Sequence, residues 1–392
     1  MESPAVSHFK TTAFGIITFM IAVFFLESAL RVLYYQLNEE DWAIQKAIVA
    51  AYDNVSTLLK ESAPQSISTP LVMPADVLVS LKQIGGVVEN ANNPTGIERK
   101  RSPLTLLDPV VGYRLRPNVN IRQHMVYPTN PGNLDPPVVS YDIGSTLPEN
   151  LKAWLKASTA LSYDYTTDDS GRRVTLPSVS ANEKVVIVGD SVAFGVGVND
   201  SETMASQLQA RLGKSRQVVN LGVGGYTAEQ AYLTAMQSPD AKKGNILVYI
   251  ACQNDFFQEK INFNIASMVE WMKKFAGLKQ SGHYREVMIV LESYQEFSFH
   301  HFLKRWPDEA VQTMAKGFAV FDTLPAQFGF IGMNWNEMLK AFNVERKSLF
   351  ASFALYADHA HLSPDGNRYL ALEIYRLLPG AVSGGSDGMP QN

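Results

Sequence analysis

Lys184-Val185-Val186-Ile187-Val188-Gly189-Asp190-Ser191 is the stretch that decides the fold. Val185–Val188 are all β-branched, and the run is short and ends at a glycine. That pattern predicts a strand buried on both faces. Working outward, Asp200 or Ser201 is expected to cap a helix with Met204, Leu208 and Leu212 on one face, stopped by Gly213. Val218–Leu221 reads as a second strand, and Thr227 with Gln230 forms a capping box for the next helix. Ile246–Ala251 reads as a third strand, and a helix follows around 261–277. Val287–Leu291 is then a fourth strand, and a fifth is expected at Phe318–Phe321. Ser363 caps a last helix, with Pro364 at its first position and Leu370, Ile374 and Leu378 facing inward. Strands alternating with helices predict an α/β fold, a parallel sheet with helices on both faces. Ligands in such folds bind beyond the carboxyl ends of the strands.

The chemical signals sit at those ends. Ser191 follows the first strand and can present its hydroxyl at the sheet edge. Gly222-Val223-Gly224-Gly225 follows the second. Glycines there serve a turn, or leave a backbone N–H bare where it can meet an oxyanion. Asn254 follows the third strand, as a side-chain donor or the start of an Asx-turn. Asp358 and His361 precede the last helix, three residues apart, close enough for a carboxylate to hold an imidazole's tautomer. A metal reading of His359 and His361 competes, but no third ligand stands at a standard spacing. A structural histidine is the plainer alternative. Together Ser191, Gly225, Asn254, Asp358 and His361 would supply a nucleophile, oxyanion donors and a base with its orienter.

Composition bounds the rest. The chain has 392 residues, 46% of them hydrophobic and 18% charged, which is ample for a buried core and excludes wholesale disorder. A net charge of −4 gives no footprint for nucleic acid. The single cysteine, Cys252, excludes an internal disulfide framework. Thr11–Leu26 carries no charge, and apolar character resumes after Glu27. Residues 11–35 therefore read as one transmembrane anchor, with Tyr34 and Tyr35 at the interface. A cleaved signal peptide and a buried soluble helix compete with it. Lys10 before the span and Glu39, Glu40 and Asp41 after it favour a cytoplasmic N-terminus, residues 1–10. The body of the protein would then lie outside the cytoplasm. Residues 38–62 have helical spacing, 127–137 hold four prolines and read as loop, and 140–180 carry little signal. The expected organisation is an accessory region over 36–180, a catalytic domain over 181–380 and a tail over 381–392.

This order of motifs resembles the SGNH, or GDSL-like, hydrolase superfamily. Its first block matches Gly189-Asp190-Ser191, its second block's glycine matches Gly225, and its third block's asparagine matches Asn254. Its Asp-x-x-His block matches Asp358–His361. Cys252 stands where the third block commonly has glycine, and Val192 where the first has leucine. Upstream, Glu27–Arg31 and Gly112-Tyr113-Arg114-Leu115-Arg116-Pro117-Asn118 are similar to segments of membrane-anchored bacterial members. The resemblance implies a flavodoxin-like three-layer α/β/α fold and serine-dependent acyl-ester chemistry without a metal or organic cofactor. His361 would take the proton of Ser191, and Asp358 would hold His361. The Ser191 and Gly225 N–H groups and the Asn254 side chain would receive the oxyanion.

The expected function is a membrane-tethered, extracytoplasmic esterase acting on short acyl esters, with O-acylated envelope or secreted polysaccharide as the substrate class. An acyltransferase with the same triad, a lipase or lysophospholipase, and a non-catalytic envelope binding protein are the alternatives.

Overall fold

The computed structural model describes residues 73–89, 105–126, 138–258, 262–294, 308–346, 351–357 and 360–380. The anchor expected over 11–35, the helix over 38–62, the loop over 127–137 and the tail over 381–392 lie outside them. Among the described residues no helix is long and apolar enough to cross a membrane. The chain divides into a larger unit, Ile67–His300 with Lys304–Leu339 and Phe353–Asn392, and a smaller one, Met1–Ser66 with His301–Leu303 and Lys340–Ser352. Within the smaller unit the Ser352 N–H donates to Asn343 Oδ1 at 2.7 Å.

The larger unit opens with α1 (Ala75–Gln83) and β1 (Val87–Glu89). The hairpin β2 (Thr105–Asp108) and β3 (Gly112–Leu115) follows, then β4 (Asn120–Val126), β5 (Val138–Asp142), α2 (Glu149–Ser158) and β6 (Thr159–Thr166). β1, β5, β4 and β6 form one antiparallel sheet in that order. Along β4, Ile121, Gln123 and Met125 are buried while Asn120 and Arg122 are exposed, the period of two expected of a sheet strand. One face of this sheet takes α1 and α2, through Val77, Leu81, Leu151 and Leu155 against Val126, Val139 and Tyr141. Buried polar groups in the sheet pair with one another: Tyr163 Oη donates to Gln123 Oε1, and Gln123 Nε2 to Ser140 Oγ at 2.9 Å.

His124 bridges Tyr141 Oη at 2.8 Å and Thr159 Oγ1 at 3.2 Å in the same sheet. Burial, aided by the Arg122 guanidinium, lowers its pKa to about 4. The unfolded chain therefore takes up this proton first on acidification. The contribution to stability is complete above about pH 6.5 and is lost as pH falls toward 4. Urea unfolding at pH 7.5 and 5.0 should show a pH-dependent loss of about 1 kcal/mol from this half-buried ring, discounted for solvent screening. His124→Gln should remove that part of the loss.

The second half builds β7 (Lys184–Gly189), α3 (Ser191–Phe194), α4 (Met204–Leu212), β8 (Gln217–Asn220) and α5 (Ala228–Gln237). Then come β9 (Ile246–Cys252), the short pair β10 (Phe257–Gln258) and β11 (Asn262–Phe263), α6 (Ile265–Gln280) and β12 (Glu286–Glu292). The chain ends its described part with α7 (Asp308–Phe321), α8 (Leu324–Phe328), β13 (Ile331–Asn334), α9 (Trp335–Glu345) and α10 (Pro364–Leu377). β13, β12, β9, β7 and β8 form a parallel sheet in that spatial order. Numbered along the chain this is 2-1-3-4-5, the flavodoxin-like order. Every residue of β9 is buried, as a central strand covered on both faces requires. One face, with Val186, Val188, Leu247, Tyr249, Val287 and Ile289, packs under α5, α6 and α7. Alternate residues, Val185, Ile187, Val248 and Ile250, are equally buried and point the other way.

Two expectations need correction. Phe318–Phe321 is not a strand; it closes helix α7, and the fifth strand is Ile331–Asn334. Met314, Phe318 and Phe321 are buried at helical spacing while Ala319 is exposed, so the short apolar run was the inner face of a helix. The cap of α4 is Thr203, whose side chain accepts from Ser206 N, and not Asp200 or Ser201. Asp200–Glu202 instead forms a 3-10 turn with Asn199 as its cap.

Candidate active site

The flavodoxin-like order reverses direction between β7 and β9, and ligands in such sheets enter the crevice there. Asp190 follows β7 and caps α3, its Oδ1 accepting from Val192 N at 3.0 Å. Ser191 is the first residue of α3, half-buried, and its Oγ lies 3.4 Å from Asp190 Oδ2. The helix has only four residues, so its C-terminal carbonyls need outside partners. Arg173 supplies them. Its side chain is fully buried and donates to Phe194 O at 2.9 Å, Gly195 O at 2.5 Å and Val198 O at 2.6 Å. Its guanidinium also pairs with Asp200 Oδ1 at 3.1 Å and stands 4.5 Å from the Phe194 ring centre. Burial draws the Arg173 pKa down, and the Asp200 carboxylate opposes that.

The loop after β8 sits against α3. Asn220 Nδ2 donates to Ala193 O at 3.0 Å and Asn220 Oδ1 accepts from Gly222 N at 2.9 Å. A side chain at Gly222 would place its Cβ 2.4 Å from Phe194 N, so only glycine permits this approach. Val223 N donates to Gly189 O at 3.2 Å, and Tyr226 N to Val223 O at 3.1 Å. The last bond closes a β-turn with Gly224 and Gly225 at its centre.

β9 delivers a 3-10 turn, Gln253–Phe256. Its fold is set by Asp255 Oδ2, which accepts from Tyr249 Oη at 2.7 Å and Cys252 N at 3.2 Å. Burial, and the charge of Asp190 next, push the Asp255 carboxyl well above the usual carboxylate range. Cys252 Sγ donates to the buried Glu292 Oε2 at 3.2 Å, joining the ends of β9 and β12. Cys252 is thus a buried tie between strands. Asn254 is exposed on the turn.

His361 arrives on a narrow loop. Tyr356 and Leu362 pair as an antiparallel bridge, and Ala357 N donates to His361 O at 2.8 Å. The loop is tied to the sheet by Tyr356 Oη, which donates to Ser293 O at 2.7 Å and accepts from the buried Trp335 Nε1 at 3.0 Å. Ser363 caps α10 as expected, accepting from Gly366 N at 3.2 Å. Asp358 and His359 lie outside the described residues.

Asp190 is where these pieces meet. Burial raises the pKa of its carboxyl. The Val192 N–H, the His361 charge, the Asn254 amide and the Ser191 hydroxyl each oppose that rise, in that order. Ser191, Asn254 and His361, far apart in sequence, are therefore gathered around one buried carboxyl group. Gly225 lies exposed at the centre of the turn Val223–Tyr226, in the loop after β8 whose Gly222 meets α3. Arg173 gave no sequence signal, because an arginine in a stretch without periodicity carries no pattern. Tyr113 was quoted upstream, but its place beside the glycine turn was not legible: Tyr113 Oη donates to Gly224 O at 3.0 Å.

No family model matches the chain, and neither does any curated protein. Solved structures do. The chain is similar to a member of the lipolytic protein G-D-S-L family from Veillonella parvula DSM 2008, at 16% identity and TM-score 0.38, over 50% of this chain and 100% of that one. It is similar to an acetyl xylan esterase, AlAXEase, at 16% identity and TM-score 0.40, over 49% of this chain and 98% of that one. An acetylxylan esterase from Geobacillus stearothermophilus matches at 17% identity and TM-score 0.38, over 50% of this chain and 94% of that one.

Proposed function

We propose that this chain is an SGNH-like serine ester hydrolase. The observation that carries the reading is the gathering of Ser191, Asn254 and His361 around Asp190 at the carboxyl end of β7, beside the switch point of the sheet. Ser191 Oγ attacks the acyl carbonyl while His361 takes its proton. Asp358 orients His361 and steadies its charged form. The Ser191 and Gly225 N–H groups and the Asn254 amide hold the oxyanion. His361 then protonates the leaving alcohol, and water releases the acyl group from Ser191. The substrate class is a short acyl ester on envelope or secreted polysaccharide, met outside the cytoplasm by a body tethered through residues 11–35. The apolar run after Lys10 supports that placement.

An aryl fluorophosphonate tests the reading without knowledge of the substrate. The serine oxygen bonds phosphorus, fluoride leaves, and His361 takes the proton. The expected result is one adduct per chain, mapped by mass spectrometry to the peptide bearing Ser191 and absent from urea-unfolded protein. Labelling elsewhere, or none, would overturn it.

A further inference from the structure

The hairpin β2–β3 belongs to the upstream region, yet it is seated on the glycine turn. Tyr113 Oη donates to Gly224 O at 3.0 Å, Tyr226 Oη donates to Tyr113 O at 2.6 Å, and the two rings meet edge to face at 5.3 Å. Gln230 Nε2 donates to Val111 O at 2.7 Å. Val111, Tyr113, Phe194, Val223 and Tyr226 share one buried cluster.

The turn Val223–Tyr226 has a positive φ of 77° at Gly225, its third residue, which makes it type II. Types I and II differ by a half-rotation of the central peptide, here the Gly224–Gly225 unit. With glycine at both central positions, local sterics permit either state. In a trans peptide the C=O and N–H point opposite ways. The group that holds Gly224 O therefore also aims Gly225 N–H. We propose that Tyr113 is a positioning residue which, through its bond to Gly224 O, locks the turn in the state that points Gly225 N–H at the oxyanion. The role rests on the hydrolase reading above and adds to it a residue that touches neither substrate nor triad.

A hydrogen bond of ordinary net strength biases a two-state equilibrium about tenfold. Complete loss of one oxyanion donor costs about 100- to 1000-fold and sets the ceiling. Tyr113→Phe in the full chain keeps the ring and removes only the hydroxyl. The expected result is a fall in kcat of about tenfold on an aryl acetate, unchanged KM, and a matching fall in the rate of fluorophosphonate labelling. Tyr226→Phe removes a neighbouring hairpin bond without touching the Gly224–Gly225 peptide. Its kcat should stay within about twofold of wild type. Circular dichroism checks the fold of both. Three results would overturn the role of Tyr113: wild-type kcat in Tyr113→Phe, an equal loss in both variants, or a loss confined to KM. Ser191→Ala separates the two levels. If it is inactive while Tyr113→Phe is normal, only the positioning role falls. If it is fully active, the serine mechanism falls and takes the role of Tyr113 with it.

Discussion

Ser191→Ala is expected to lower aryl-acetate turnover at least about a thousandfold while leaving the fold intact. The two halves of that expectation have separate causes. The fold is insensitive because α3 is capped by Asp190 through Val192 N, a bond that does not use the serine side chain. Alanine also takes up helical backbone geometry without cost. The chemistry is sensitive because Ser191 opens α3 directly after β7, at the switch point, and its Oγ is the proposed nucleophile. The acyl-enzyme route closes when Oγ is removed. Steady-state hydrolysis with matched circular dichroism is the measurement. Equal activity in the two proteins would place the nucleophile elsewhere.

Arg173→Ala is expected to cost about 3–5 kcal/mol of stability, the range for breaking a buried ion pair from one side. The loss is large because the side chain is fully buried and serves several partners at once. Without it Phe194 O, Gly195 O and Val198 O lose donors, and Asp200 loses its guanidinium. Each stranded buried acceptor adds its own desolvation cost. Chemical denaturation reads the loss directly. Arg173→Lys should recover only part of it, because an ammonium cannot reproduce the planar fork that reaches three carbonyls and a carboxylate. A variant within about 0.5 kcal/mol of wild type would show that the carbonyls find other donors.

Much of the second half was legible in the sequence, for a physical reason. β7, β9 and β12 are buried on both faces, so each appears as an unbroken apolar run. The capping box of Thr227 and Gln230 and the Ser363 cap are local devices, and local devices leave local signatures. Phe318–Phe321 misled because four apolar residues fit one turn of a helix as well as a strand. Only Met314, a turn earlier, gives the period away. The upstream sheet was not legible because its strands bury one face and pair at long range. β4 meets β5 across the segment 127–137. Ser191, Asn254 and His361 could be named from their positions after strands or before a helix. Their common neighbour Asp190, the arginine behind α3 and the tyrosine above the glycine turn depend on contacts between distant segments. Such contacts leave no spacing to read.

The buried cluster that joins the hairpin, the antiparallel sheet and the loops after β7 and β8 bears on how the protein is made. Every strand of the four-stranded sheet lies before residue 167, and Arg173 also precedes the segment it braces. During synthesis the upstream half leaves the ribosome first, at about 5–20 residues per second. Phe194, Val223 and Tyr226 therefore emerge after the surface that will bury them has already been made. The upstream half then acts in time as a template. A translational pause between residues 167 and 184 would lengthen the interval in which that surface waits, exposed, for the strand that carries the serine.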